Sequence, residues 1–437
     1  MVILYYVLLI ATLIYGLYFA LTGLWAFVRA PKKTAPSDTE KKNNFAIIIA
    51  ARNEAEVIGN LIDSLNNQNY DRDHFTIYTA VNNCTDNTEY VARRHGSKVI
   101  KCPNTVKSKG DVLKLVFEEY TKREDIDAFI IFDADNIVHP DYLRHMNHAM
   151  NCGAKVAQCK RDSKNLADNW ISAGYSMFYY LQNFFFNRAR SRVGLSASIN
   201  GTGFMVTKEA LAITGFDAHT MTEDVEYTGI CALNGVKIEY VEEAVTYDEQ
   251  PTNFGVSFRQ RKRWSLGNLQ CWMSYVGKLF KTFFKTGRVS CLDMAFNYSA
   301  PIVQVVSVGM TLMLMAFPLM GIKLDDVFSY IFAYGWLLFG LTFVCGLIVC
   351  ALILKLNGHS AKETPSGMLL FTLFILSWIP INCLIMVNRK FTWQPIQHSR
   401  NVSIDTLIQN SYQNRHPIGG RCLMQVDVSG CVVCEPW

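Results

Sequence analysis

Ala128-Phe129-Ile130-Ile131-Phe132-Asp133-Ala134-Asp135 carries an apolar run straight into two carboxylates one residue apart. A short continuous apolar run is the pattern of a strand covered on both faces, as in a parallel sheet. Side chains alternate along an extended chain, so Asp133 and Asp135 can address one site. Two hard oxygen donors suit Mg²⁺ or Mn²⁺ held together with a substrate diphosphate. An Asp-x-Asp triplet is common in turns. Its weight here comes from its place at a strand's carboxyl end, where open α/β sheets bind their ligands.

Working outward, FAIIIA (45–50), FTIYTAV (75–81), KVIKC (98–102) and KVAQCKR (155–161) read as further strands. Between the first two, Val57, Ile58, Leu61, Ile62 and Leu65 fall on one helical face of residues 55–67. Strands alternating with helices over 45–250 predict an α/β domain with a mostly parallel sheet covered on both sides.

The rest of the chain is of another kind. Of 437 residues, 50% are hydrophobic and only 18% charged, against about 25% charged in soluble domains. This excludes a disordered or fibrous protein and a purely soluble enzyme. The thirteen cysteines are too dispersed for a secreted disulfide scaffold. The net charge of +5 gives no case for a nucleic-acid partner, because the basic residues cluster beside apolar segments, where membrane orientation explains them.

Residues 2–28 lack any charged side chain and exceed the roughly 20 residues needed to cross a bilayer. They lack a basic start and a small-residue cleavage site, so they read as a retained transmembrane anchor. The flank Arg29, Lys32, Lys33, Lys41 and Lys42 puts the following domain, 29–256, on the cytoplasmic side. The stretches 170–190 and 264–286 fit helices in the membrane interface, with burial in the domain as the alternative; an interfacial amphipathic unit is assigned to 257–290. Residues 291–390 are read as transmembrane or re-entrant helices, with 294–320 and 327–354 long enough to span. Pro380 would break 367–388 into a re-entrant or interfacial piece, which keeps Arg389 and Lys390 on the cytoplasmic side. The expected location is the cell (plasma) membrane, multi-pass.

Three further clusters carry candidate chemistry. Arg52-Asn53-Glu54 follows the first strand, Asn82 to Thr88 follow the second, and Lys109-Gly110 opens a helix. Singly these are turns and caps; together they line one rim. Thr222-Glu223-Asp224 is an acidic helix start whose carboxylate could serve as a general base, worth about 10²–10⁴-fold in rate. The turn Gly201-Thr202-Gly203 would let backbone approach the acceptor closely. Gln260-Arg261-Lys262-Arg263-Trp264 is either a lipid-facing basic run or guanidinium groups for a diphosphate leaving group beside an aromatic stacking face.

Taken in order, Ala51-Arg52-Asn53-Glu54, Asp133-Ala134-Asp135, Thr222-Glu223-Asp224 and Gln260-Arg261-x-Arg263-Trp264 resemble the membrane-integrated family 2 glycosyltransferases. That group includes cellulose, chitin, hyaluronan and mixed-linkage glucan synthases. The resemblance implies a nucleotide-sugar domain of the GT-A type plus transmembrane and interfacial helices. It implies that Asp135, helped by Asp133, holds Mg²⁺ or Mn²⁺ on the donor diphosphate, and that Asp224 is the catalytic base. Glu223, Gly201, Thr202, Gly203, Gln260, Arg261, Arg263 and Trp264 would border the acceptor and diphosphate. Ala51, Asn53, Glu54, Asn82, Lys109 and Asp133 would contact the nucleotide. Trp393, in FTWQPIQHSR, resembles a gating loop and assigns 391–437 to a cytoplasmic loop and tail. Asn82 departs from the family, which usually has Asp there, and puts the nucleotide contact in question.

The activity so implied is inverting transfer from a UDP-sugar to a growing β-linked polysaccharide. The alternative is single transfer to a lipid acceptor, as by ceramide glucosyltransferases; a silent membrane scaffold is the reading from another class. Expected partners are the UDP-sugar, a glycan or lipid acceptor, the bilayer and, optionally, a second copy of the chain. Cys422, Cys431 and Cys434 could suggest a metal or redox site, but only His416 is at hand as a fourth ligand, and an incidental tail is the simpler reading.

Overall fold

The computed structural model describes residues 2–28, 35–321, 326–390 and 400, with a few isolated positions after it. Its centre is one sheet of β1 (Phe45–Ala51), β2 (Phe75–Val81), β3 (Lys98–Lys101), β4 (Ala128–Asp133), β5 (Ile137–Val138), β6 (Val156–Ser163), β7 (Phe204–Thr207) and β8 (Ile238–Asp248). The spatial order is β3-β2-β1-β4-β7-β6-β8-β5. The β3-β2-β1-β4 half is parallel throughout, and β6 is parallel to β8. The apolar run of β4 follows from this burial. Ile130 and Phe132 enter one core layer with Ile47, Ile49, Leu61 and Leu65. Phe129 and Ile131 enter the other with Ile48, Val112, Val116 and Phe204.

The short β7 positions the site. It runs antiparallel to both β4 and β6, with Phe204 opposite Ile131. Its first residue therefore lies near the carboxyl end of β4, and the turn Gly201-Thr202-Gly203 is laid beside Asp133. The Gly203 amide donates to the Ile131 carbonyl at 2.8 Å, and the Asp133 amide to Thr202 Oγ1 at 3.0 Å.

Beyond the sheet, Asn253 caps a 33-residue helix, Phe254–Thr286, by accepting from the amides of Gly255 and Val256. Three stretches among the described residues are long and apolar enough to cross a membrane: Val2–Phe27, Ala300–Phe317 and Pro365–Val387. The first packs on the second through Tyr5, Met310 and Phe317. Helix Asp326–Leu356 lies between the other two in sequence.

Two expectations about this region are refined. The helix Trp170–Leu181 does not lie free at an interface; it takes the burial alternative, with Ile171 to Met177 buried and Gly174 pressed against the Phe374 ring. The 367–388 region does break, but at Ser377, between helices Pro365–Leu376 and Trp378–Val387. Pro380 falls in the first turn of the second helix, where no intrahelical N–H bond is lost. Both ends of this segment meet the sheet domain's attachments. Gly367 abuts Ala173, and the Lys390 carbonyl accepts from Lys262 Nζ at 3.2 Å. Past it, Arg400 pairs with Asp168 at 2.6 Å.

Candidate active site

Lys109 is the hub of the site. Ser108 caps its helix in a capping box with Asp111, which points the first residue at the sheet edge. Lys109 Nζ pairs with the Asp133 carboxylate and donates to the Gly201 carbonyl at 2.7 Å. Burial pulls the ammonium's pKa down, but the charges of Asp133 and Glu223 outweigh it and the net shift is upward. Burial likewise pushes the Asp133 carboxyl up, and the adjacent Lys109 charge more than offsets this, holding it below the usual carboxylate range.

Asp224 stands across from this pair in the first turn of helix Glu223–Asn234, whose backbone N–H groups favour an anion. Gly201 has φ of +85°, and a Cβ there would lie 3.4 Å from Asp224 Oδ2. The glycine is needed both for the turn and for closeness to that carboxylate. Burial raises the Asp224 pKa. Glu223 is pushed up to about 7, first by burial and then by the Asp224 charge, with Lys109 and Arg263 opposing.

Asp133 and Asp224 line one cavity of about 460 Å³. Gln260, Arg263 and Trp264 line it too, and Trp264 is braced edge-on by Tyr175 and Tyr179 at 5.8 and 6.3 Å. Arg161 enters the same cavity, paired with Asp248 and stacked over Tyr179 at 3.9 Å. The same cavity is also lined by Asn268, Asn297, Pro301, Gln304, Trp378 and Asn382, the last four on apolar helices.

Not all the expected residues converge here. Arg261 turns away from the cavity: it is fully buried, donates to the Phe374 carbonyl at 3.2 Å and to Ser377 Oγ, and stacks on Phe374 and Trp378. Its assignment to acceptor or diphosphate is corrected to a clamp on the 365–387 segment. Thr202 and Gly203 do not line the cavity either. Thr202 Oγ1 supports the β4 end and donates to Asn136 Oδ1, and Gly203 lets β7 pass close to Cys159. Asp135 is likewise absent from the cavity lining; it is buried and accepts from the Glu249 amide at 3.3 Å.

Ala51, Asn53, Glu54 and Asn82 gather at the carboxyl ends of β1 and β2, outside the cavity lining. Asn53 Oδ1 accepts from the Thr85 amide at 2.7 Å. The Glu54 amide donates to Thr88 Oγ1 at 2.8 Å, and the Asn82 amide to the Ala51 carbonyl at 3.0 Å. Asn82 Oδ1 accepts from Asn83. Trp393 and the cysteines at 422, 431 and 434 lie outside the described residues.

For a metal, the donor set is chemically apt: Asp133 and Asp135 offer hard carboxylate oxygens at one strand end. No cluster of three or more ligating side chains occurs among the described residues, so these two would share a cation with oxygens from a substrate.

Sequence reasoning passed over Arg161, Asn268, Asn297, Gln304 and Asn382. A signal was present for one of them: Gln260, Trp264 and Asn268 recur every four residues and so share a helix face.

A family model described as glycosyltransferase like family 2 matches residues 43–267, slightly more than half of the chain. The probable glycosyltransferase YdaM of Bacillus subtilis is 26% identical over 251 residues, covering 54% of this chain and 58% of that protein. A beta-monoglucosyldiacylglycerol synthase of Nostoc sp. is 26% identical over 246 residues, covering 54% of this chain and 51% of that protein. The chain thus spans about half the length of the curated relatives it matches. Among solved structures, the mannosyltransferase PcManGT from Pyrobaculum calidifontis, in complex with GDP-Man and Mn²⁺, superposes with a TM-score of 0.60 at 15% identity. It covers 88% of this chain and 98% of that one. At that identity the likeness is one of fold, here extending beyond the sheet domain. With the acidic strand end, the Asp224 helix and the Gln260-to-Trp264 wall all inside the matched region, the chain belongs to glycosyltransferase family 2.

Proposed function

We propose that this enzyme transfers a sugar, with inversion, from a UDP-sugar to a hydroxyl carried by a membrane lipid. The observation behind this reading is the cavity itself, which runs from the Asp224 carboxylate to residues of two apolar helices, Ala300–Leu319 and Trp378–Val387. A water-borne acceptor would not need that path. The names of curated relatives, beta-monoglucosyldiacylglycerol synthases, point the same way.

In this reading the nucleotide lies along the rim of Ala51, Asn53, Glu54 and Asn82. Asp133 and Asp135 would hold Mg²⁺ or Mn²⁺, which when bound offsets diphosphate charge. Lys109 and Arg263 supply fixed positive charge to the departing diphosphate. Asp224 accepts the acceptor's hydroxyl proton while that oxygen bonds to the anomeric carbon. The bond from that carbon to the diphosphate oxygen breaks, and UDP leaves with the electron pair. Trp264 and Gln260 position the acceptor.

Membrane topology belongs to the same proposal. The apolar segments anchor the enzyme in the cell membrane, with the sheet domain on the cytoplasmic side beside the basic flank that follows the first helix. Segment 365–387 is re-entrant. The Lys262–Lys390 contact and the Arg400–Asp168 pair support this, since both hold the chain after that segment on the domain's side.

A growing β-linked glycan is the second reading, favoured by Gln260, Arg263 and Trp264 on the cavity wall. Purified protein in lipid vesicles, given radiolabelled UDP-glucose, UDP-N-acetylglucosamine or UDP-glucuronate, separates the two. Label in the organic phase is expected; high-mass, glucanase-sensitive label would favour the glycan, and no transfer from any donor would end both readings.

A further inference from the structure

The cavity is divided by charge. Its cationic side chains, Lys109, Arg161 and Arg263, all belong to its Asp224 end, and the first two are already matched to Asp133 and Asp248. Past Trp264 the lining contains no Lys or Arg; its polar groups are the amides of Asn268, Asn297, Gln304 and Asn382. Three of these sit on or beside apolar helices, where a polar side chain is costly unless something uses it.

Asn382 is 3% exposed and donates to Gln304 Oε1 at 2.6 Å. Its own Oδ1, like Asn268 Oδ1, is buried with no hydrogen-bond partner among the described residues. A bound group that donates hydrogen bonds would satisfy these oxygens. A hydroxyl can do so, and because it both donates and accepts it matches either end of an amide. A phosphate brings negative charge to a place whose lining offers no Lys or Arg to balance it, and it has no hydrogen to donate to these oxygens.

We infer that the amides of Asn268, Asn297, Gln304 and Asn382 bind an uncharged, hydroxyl-bearing lipid headgroup of the glycerol or sugar class, and select against phosphate-headed acceptors. This rests on the lipid-acceptor reading above.

The test uses the full chain in phosphatidylcholine vesicles with the active UDP-sugar and either dioleoylglycerol or undecaprenyl phosphate at equal mole fraction. Transfer to dioleoylglycerol is expected to exceed that to undecaprenyl phosphate by at least about tenfold. Asn382→Leu and Gln304→Leu are each expected to raise the dioleoylglycerol KM about tenfold, as for loss of one or two hydrogen bonds, with donor KM within twofold. Calorimetric UDP binding shows that the variants are folded. Faster transfer to undecaprenyl phosphate would overturn the headgroup inference and leave the lipid reading intact. An acceptor KM unmoved in both folded variants would overturn the role of the amides. Label found only in water-soluble glycan would defeat the lipid reading, and this inference with it.

Discussion

Arg190 and Asp293 meet as a buried ion pair with two parallel hydrogen bonds, Nε to Oδ2 and Nη2 to Oδ1, each 2.8 Å. The side chains are 1% and 6% exposed. Tyr18, on the first apolar helix, donates to the same carboxylate at 2.7 Å, and the guanidinium stacks on Phe186 at 3.4 Å. One carboxylate therefore ties the amino-terminal helix to the body of the enzyme. Arg190→Met leaves that carboxylate unpaired and is expected to cost about 3–5 kcal/mol. Tyr18→Phe removes one hydrogen bond and should cost about 1 kcal/mol. Denaturant unfolding in detergent, followed by tryptophan fluorescence, measures both.

Asp224→Asn keeps the shape of the proposed base and removes its proton affinity. Turnover is expected to fall by about 10²–10⁴-fold, with UDP affinity unchanged within threefold by calorimetry. Near-normal turnover would assign the base elsewhere.

Glu223, ordinarily near 4.5, is pushed up to about 7 in the fold. A carboxyl raised in this way favours the native state fully below pH 4.5, and that advantage is lost as pH rises through about 7. The unfolding midpoint should therefore drop between pH 5 and pH 8, and Glu223→Gln should flatten the drop. Asp224, also raised by burial, leaves a residual slope. An unchanged profile in Glu223→Gln would show that Glu223 ionises normally.

Arg261→Ala tests the corrected role of this residue. Loss of its bonds to Phe374 and Ser377 should lower stability on the order of 2–3 kcal/mol and raise acceptor KM while donor KM stays put. A raised donor KM with normal stability would return Arg261 to the diphosphate.

Chelation with EDTA should stop transfer, and Mn²⁺ or Mg²⁺ should restore it. Asp135→Asn should raise the half-saturating metal concentration by about tenfold or more. Full activity in EDTA would separate the two aspartates from metal chemistry.

The parallel half of the fold was legible because its signal is local. The runs at 45, 75, 98, 128 and 155 carry strand pattern without reference to anything distant, and each is a strand. Phe204–Thr207 is only four residues long and reads as a strand only once β4 and β6 flank it. Ile238–Asp248 mixes four acidic residues into its apolar pattern, which disguises it. At the site, Asp133, Asp224, Gln260, Arg263 and Trp264 were legible as motif residues. Arg261 was misplaced because its partners lie more than a hundred residues away, and nothing local distinguishes it from Arg263. The amides at 297, 304 and 382 acquire meaning only when three separate helices close around one space.

Helix Phe254–Thr286 also acts as a ruler. Gln260 and Asn268 are eight positions apart on the wall of the cavity, or about 12 Å at 1.5 Å per residue. In the lipid-acceptor proposal, a headgroup moving along this wall approaches Asp224 while its tails stay beside the apolar helices that carry Gln304 and Asn382.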